Sequence, residues 1–191
     1  MKTNRLLEKQ VIEIYASLLL EVAQGEKRVV EDLKQLEFAE SIISESSQLR
    51  EAIEGSMLPA KSRHALIEDV FQGSVSPEVK DVLAIMAERR DTDYIKRVAD
   101  VYRKMVEDKH NLIITEVTTA VPMDDELKAR VTAQLTKQFG KDIHLDEVVD
   151  PSIMGGVIVN AQGKRMDASI ATQLAHARNV LSKTVSTGGD A

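Results

Sequence analysis

The chain has 191 residues, with 25 Lys and Arg against 31 Asp and Glu, giving a formal net charge of −6; that balance argues against a general nucleic-acid binder, which carries a basic face. It has no cysteine, which excludes disulfides and thiolate metal sites and fits a reducing compartment, and with no Trp, three Tyr and three Phe its core must be aliphatic. No stretch approaches the roughly 18 apolar residues of a membrane span, and the amino end mixes Lys2 and Arg5 with Glu8, Glu13 and Glu21, unlike a signal or transit peptide.

Residues 1 to about 108 read as helix throughout. Gly25, Gly55, Gly73, Pro59 and Pro77 all fall between apolar-periodic segments, where breakers belong. The first helix is expected from Leu6 to Gln24, with Leu7, Val11, Ile14, Leu18 and Val22 as its stripe. The second runs from Val29 to Ser44 through Val30, Leu33, Leu36, Phe38 and Ile42. A short third lies over Gln48–Glu54, and a fourth over Lys61–Phe71 turns Leu66, Ile67 and Val70 inward. Ser76-Pro77-Glu78 is a start signal: an N-cap, a proline at the first helical position and an acid in the first turn. The fifth helix reaches Arg89. Asp91–Tyr94 restarts the chain, and the sixth continues to Lys109 through Ile95, Val98, Val101, Tyr102 and Met105.

The texture then changes. Leu112–Val121 is rich in Ile, Val and Thr and reads as a strand. Asp124 or Asp125 caps a helix with Leu127, Val131, Leu135 and Phe139 at four-residue spacing, closed by Gly140. Ile143, Leu145 and Val149 mark a second strand. Asp150-Pro151 stops it, because the residue before a proline is pushed out of the helical region. Ile153, Met154, Val157, Ile158 and Val159 form a third strand, with Gly155-Gly156 as a bulge or close backbone approach inside it. Asn160–Gly163 is turn material before a short fourth strand. Asp167 or Ser169 then caps a last helix carrying Ile170, Leu174, Ala177 and Leu181, whose stripe is expected to pack on its own sheet. Ser182–Ala191 has little to bury. The fold class is therefore α+β and mostly helical: a six-helix bundle over 1–108, a small α/β domain over 109–185, and a frayed tail at 186–191.

Chemistry is scarce. No Walker loop exists, and Gly155-Gly156 leads into a strand instead of opening a helix. Asp150 and Asp167 could pair as acid and base, yet both stand where turns and caps want aspartate. His64, His110, His144 and His176 lack metal-ligand spacing, and Ser169 lacks a Gly-x-Ser-x-Gly elbow. No catalytic, cofactor or metal set is assigned. On a helical wheel the apolar residues of the first helix cover an arc of about 200°, wider than the roughly 100° that one-sided packing needs. One margin of that arc is a candidate partner face.

Two stretches carry a family resemblance. Asp150, Pro151, Gly155, Gly156, Val157, Asp167 and Ser169 match, in order, the carboxyl-terminal signature of the delta subunit of F-type ATP synthases, the family of the mitochondrial oligomycin-sensitivity-conferring protein; Ala168 stands where that family usually has glycine. Tyr15-Ala16-Ser17-Leu18-Leu19-Leu20-Glu21-Val22-Ala23 resembles the family's first helix, with Leu18 where alanine is common. The resemblance implies a non-catalytic stator subunit without cofactors, working in proton-driven ATP synthesis. It would be present in single copy, peripheral on the cytoplasmic face of the cell membrane and not inserted into it. Its implied partners are the amino-terminal segment of the alpha subunit in the catalytic CF(1) head and the b subunits of the peripheral stalk. In that family the first and fifth helices hold the alpha segment, which points to Tyr15, Ala16 and Leu19 with Val79, Leu83 and Met86. Two other classes stay open beside it: an RNA-binding or other helical-bundle binding module, and a hydrolase or transferase built on the Gly-Gly turn.

Overall fold

The computed structural model describes residues 2–23, 26–55 and 57–186. They divide into two compact units, one ending at His110 and the other beginning at Asn111.

The first unit holds α1 (Lys2–Val22), α2 (Glu26–Glu45), α3 (Ser47–Glu54), α4 (Ala60–Val70), α5 (Pro77–Arg89) and α6 (Ile95–His110). Gln24 and Gly25 lie outside the described residues. Local chemistry sets the starts. Ser46 Oγ accepts from Leu49 N–H at 3.2 Å to cap α3, and Ser76 Oγ accepts from Val79 N–H at 3.4 Å with Pro77 in the first turn of α5. Helix α6 packs on α1 and α2, while α5 packs on α1, α2, α3 and α4. The core is aliphatic around Tyr102 and Phe71.

Several stripes point elsewhere than the spacing suggested. On α1 the buried row is Ile12, Tyr15, Ala16, Leu19 and Ala23, whereas Leu7, Ile14, Leu18 and Val22 are exposed. Both rows are apolar with helical spacing, so periodicity could not choose between them. Phe38 is exposed and Ala39 takes the inward place. On α4 Val70 is exposed, and the inward row is Arg63, Ile67 and then Phe71. On α6 Val101 and Met105 are half-buried, and Ala99 and Val106 are buried instead.

Buried polar groups fasten this unit. Arg63 lies inside the core because it has somewhere to spend its charge. Its Nε donates to Ala87 O at 2.9 Å, Nη2 to Glu88 O at 2.6 Å and Nη1 to Leu58 O at 2.6 Å. It thereby adds a donor to the Ala87 and Glu88 carbonyls in the last turn of α5, Ala87 O also accepting from Arg90 N–H. Asp32, also buried, accepts from Ser76 Oγ at 3.2 Å, and Gln35 Oε1 accepts from Ser76 N–H, so two side chains of α2 hold the start of α5.

The second unit holds β1 (Leu112–Thr119), α7 (Asp125–Phe139), β2 (Asp142–Val149), β3 (Val157–Ala161), β4 (Lys164–Asp167) and α8 (Ile170–Ser186). Strand order is β2-β1-β3-β4. β1 and β2 are parallel and joined through α7; β3 is antiparallel to β1 and to β4. Asp124 resolves the choice of cap, accepting from Leu127 N–H at 2.7 Å, and Gly140 closes α7 at φ +69°. Gln162 and Gly163 both have positive φ, the geometry that a two-residue hairpin requires. Helix α7 packs on β2, and Leu135 meets Val117, Met123 and Val159 in a small core.

Four expectations are corrected here. β1 ends at Thr119, not Val121. The third strand starts only at Val157: Pro151–Ile153 is a 3-10 turn and Met154 is an exposed left-handed residue, so Gly155-Gly156 forms a loop before the strand and not a bulge within it. Helix α8 extends through Ser186, past the proposed start of the tail; residues 187–191 lie outside the described residues. The described part of its stripe, Ile170, Leu174 and Ala177, is exposed and does not pack on the sheet; the side chain of Leu181 lies outside the described residues.

Candidate functional site

The partner-facing residues named from the sequence are all sealed. Tyr15, Ala16, Leu19, Val79, Leu83 and Met86 are at most 4% exposed. Three lie on α1, which packs on α5 and α6, and three on α5, which packs on α1 and α4. Tyr15 is fixed further by its hydroxyl, which donates to Asp91 Oδ2 at 2.8 Å just beyond α5. Burial and that bond to an acid push its pKa up to about 12. In this chain the six present almost no surface to solvent.

The neighbouring row is open. Leu7 is 55% exposed, Ile14 62%, Leu18 40% and Val22 47%. Their spacing of seven, four and four residues keeps them on one line along α1. On α5 the corresponding outward residue is Ile85, flanked in sequence by exposed Asp81 and Glu88. An apolar row of this length on a surface helix is the surface an amphipathic helix recognises.

The residues of the carboxyl-terminal signature come together as one local structure. Asp150 caps the 3-10 turn by accepting from Ser152 N–H at 2.9 Å, and its own N–H donates to Thr119 O at 2.8 Å. Pro151 is the first residue of that turn. Gly155 O accepts from Ile170 N–H at 3.0 Å, and Val157 O accepts from Ala168 N–H at 2.9 Å. A Cβ on Gly156 would stand 2.4 Å from Ala168 O, and its φ is +82°, so only glycine allows this approach. Asp167 Oδ1 accepts from Ser169 N–H at 3.0 Å, and Ser169 Oγ accepts from Thr172 N–H at 3.2 Å. Both candidate caps are therefore used in series.

These bonds decide the acid–base question. Asp150 and Asp167 both have lowered pKa values, the latter to about 2, because Ser152 and Ser169 respectively hydrogen-bond the ionised carboxylate. Neither is tuned to hold a proton near neutrality, as a general acid would be. Among the described residues no group of three or more His, Asp or Glu is arranged to hold a metal.

Sequence reasoning missed Arg63 and Asp32. The four-residue spacing of Arg63, Ile67 and Phe71 was a usable signal for the first. Nothing local marked Asp32, whose role depends on Ser76, 44 residues away.

A chain fastened by buried clasps, with lowered carboxylates spent as caps and apolar rows left on two helices, is of the class that grips other proteins. The family model described as "ATP synthase delta (OSCP) subunit" matches residues 11–181. The chain is 32% identical over 169 residues to the ATP synthase subunit delta of Alkaliphilus oremlandii, covering 88% of this chain and 94% of that one. It is 29% identical over 167 residues to that of Chloroherpeton thalassium, covering 87% and 91%. Its fold is similar to a chain in the mitochondrial ATP synthase hexamer of Toxoplasma gondii, with a TM-score of 0.51 at 18% identity, covering 89% of this chain and 96% of that one. The chain belongs to the ATP synthase delta (OSCP) subunit family, the non-catalytic stator subunit of F-type ATP synthase.

Proposed function

We propose that this subunit grips the catalytic head with residues 1–108 and the peripheral stalk with residues 109–185. Proton flow turns a rotor, and the torque would drag the head round unless something held it. A strut for that purpose needs stiffness and firm interfaces; reactive groups are not required. The six helices would act as one bundle, stiffened by the Arg63 and Asp32 clasps. It would receive the amino-terminal segment of the alpha subunit as an amphipathic helix laid along Leu7, Ile14, Leu18 and Val22. The observation that carries this reading is that row: it is apolar and exposed on a helix whose other side is sealed. The b subunits would meet the second unit, where the described part of α8 is exposed. The subunit would be present once per complex, peripheral at the cytoplasmic face of the membrane; no helix among the described residues is long and apolar enough to cross it. An RNA-binding role would need a basic face, and no observation favours it over the strut.

The test is a binding titration. A peptide copying the amino terminus of the cognate alpha subunit should bind the full chain. Changing Ile14 or Leu18 to Asp should weaken it by at least about tenfold, the loss expected when one large aliphatic side chain leaves an interface, with helical content unchanged. Equal affinity for Ile14→Asp, Leu18→Asp and the unaltered chain would refute the placement on this row.

A further inference from the structure

The exposed row of α1 has unlike borders. Successive residues of a helix stand about 100° apart. Glu8 and Tyr15, one place after Leu7 and Ile14, therefore flank the row on one side, and Gln10, Ser17 and Glu21 flank it on the other. The second flank is exposed and carries one charge, Glu21; Glu13, further round the helix, faces Lys9 at 3.5 Å.

Side chains from α5, α6 and the turn between them close over the first flank. Tyr15 donates to Asp91 Oδ2 at 2.8 Å, and Arg89, in the last turn of α5, stands near enough to the same hydroxyl to favour its ionised form. Nearer the start of α1, Arg97 Nη1 lies 3.6 Å from Glu8 Oε2, and its guanidinium is 5.6 Å from the centre of the Tyr94 ring. In both places the cation is the outer member. The Arg97 side chain is 52% exposed against 28% for Glu8, and Arg89 is exposed while Asp91 is half-buried. Arg90, next in the chain, is exposed with φ +63°. This border therefore shows arginine outward and keeps its acids beneath. Glu8 and Tyr15 are seven residues apart, which is about 10 Å, or two turns, along the helix. Arg97 and Arg89 are thus spaced along the length of the row.

We propose that the helix received by this row carries carboxylates along the edge that faces α5 and α6, about two turns apart, and that Arg89 and Arg97 read them. This deepens the stator reading of the same row and rests on it. An arginine fork meets a carboxylate in plane through two hydrogen bonds. Exposed pairs of this kind add little affinity, which the apolar row supplies. What they govern is approach and direction. Laid the other way round with the same apolar face down, the helix would turn its acidic edge toward Glu21 and away from both arginines. The two arginines therefore select one of the two directions in which an amphipathic helix fits the row.

The test follows association of the full chain with a labelled peptide copying the amino terminus of the cognate alpha subunit. At low salt, Arg89→Glu and Arg97→Gln should each slow association by about threefold or more, because rim charges act on the encounter. The loss should shrink at about 0.5 M salt, where exposed charges are screened. Changing the peptide's edge acids to amides should cost a similar factor and abolish the response to Arg89→Glu; this arm leaves the protein unaltered, so unfolding cannot imitate it. Unchanged or faster association of both arginine variants, with Ile14→Asp still weakening binding, would overturn the acidic edge and leave the row standing. A peptide whose amide form binds as fast as its acid form would do the same. Equal affinity for Ile14→Asp and the unaltered chain would overturn row and edge together.

Discussion

The two units bury their apolar residues to different degrees. In the first, each of the six helices has a neighbour, the largest aliphatic side chains are sealed, and even an arginine and an aspartate are taken inside on hydrogen bonds. In the second, α7 packs on a four-stranded sheet, the small core is half-buried at its edges, and α8 is exposed from Thr172 to Arg178. What remains outside therefore means different things. On α1 the exposed row is surplus to a core already complete, so it is a surface in its own right. On α8 the exposed stretch belongs to a helix that the small core of its own unit does not take in.

The sharpest break of this comparison comes from two adjacent rows of α1. Leu19→Asp puts a charge in the sealed core with no partner, so it should cost the first unit about 4 kcal/mol or more and abolish its cooperative denaturant transition. Ile14→Asp lies one row over in solvent and should change the transition by no more than about 0.5 kcal/mol. If both variants unfolded alike, the division of α1 into a sealed and a free row would be wrong.

That pair also marks the limit of what the sequence conveys. Element type and order were legible throughout, because Ser76-Pro77, Asp124, Gly140 and the switch to Ile, Val and Thr after Asn111 act locally. The carboxyl-terminal signature was legible as a pattern, and its geometry gives the pattern a reason: at Gly156 and Ser169 one backbone lies on the other. Facing was legible only in part: Leu33, Leu36, Ile95, Val98 and Tyr102 are buried as expected, but the stripe expected on α1 is not. Leu18 and Leu19 are equally apolar, and only the arrival of α5 and α6 decides which one is buried. The six residues to which the family resemblance pointed lie on the buried side for that reason. Arg63 was passed over because charge argues for exposure until three carbonyls are seen to converge on it.

A smaller effect sharpens the comparison within the second unit. Gly156→Ala meets both a positive φ and the Ala168 carbonyl, so it should destabilise that unit by about 2–3 kcal/mol and loosen the start of α8. Gly140→Ala has φ +69° but open space around it, and should cost only about 1 kcal/mol. Amide exchange should separate them: the first change speeds exchange at Ile170 and Ala168, and the second leaves both protected. Equal protection loss would mean that the loop and the helix start are not braced through Gly156.

The smallest expected effects have opposite signs in the two units. Asp32 is buried, and desolvation raises its pKa against the pull of Ser76 and Arg28. Its folded form holds the proton more tightly than the unfolded chain does, so its contribution is favourable at low pH and is lost as pH rises through its folded pKa. Asp167 is the reverse. Its pKa falls to about 2 because Ser169 bonds the carboxylate, so its contribution is present above the ordinary carboxylate range and is lost as pH falls toward about 2. Asp32→Asn should therefore gain on the unaltered chain as pH rises from about 3 to about 7, while Asp167→Asn should lose ground over the same interval. Denaturant midpoints of both variants across that range measure this. Slopes of the same sign would show that one acid has been assigned the wrong environment. Parallel curves would show that neither cap nor clasp senses its proton.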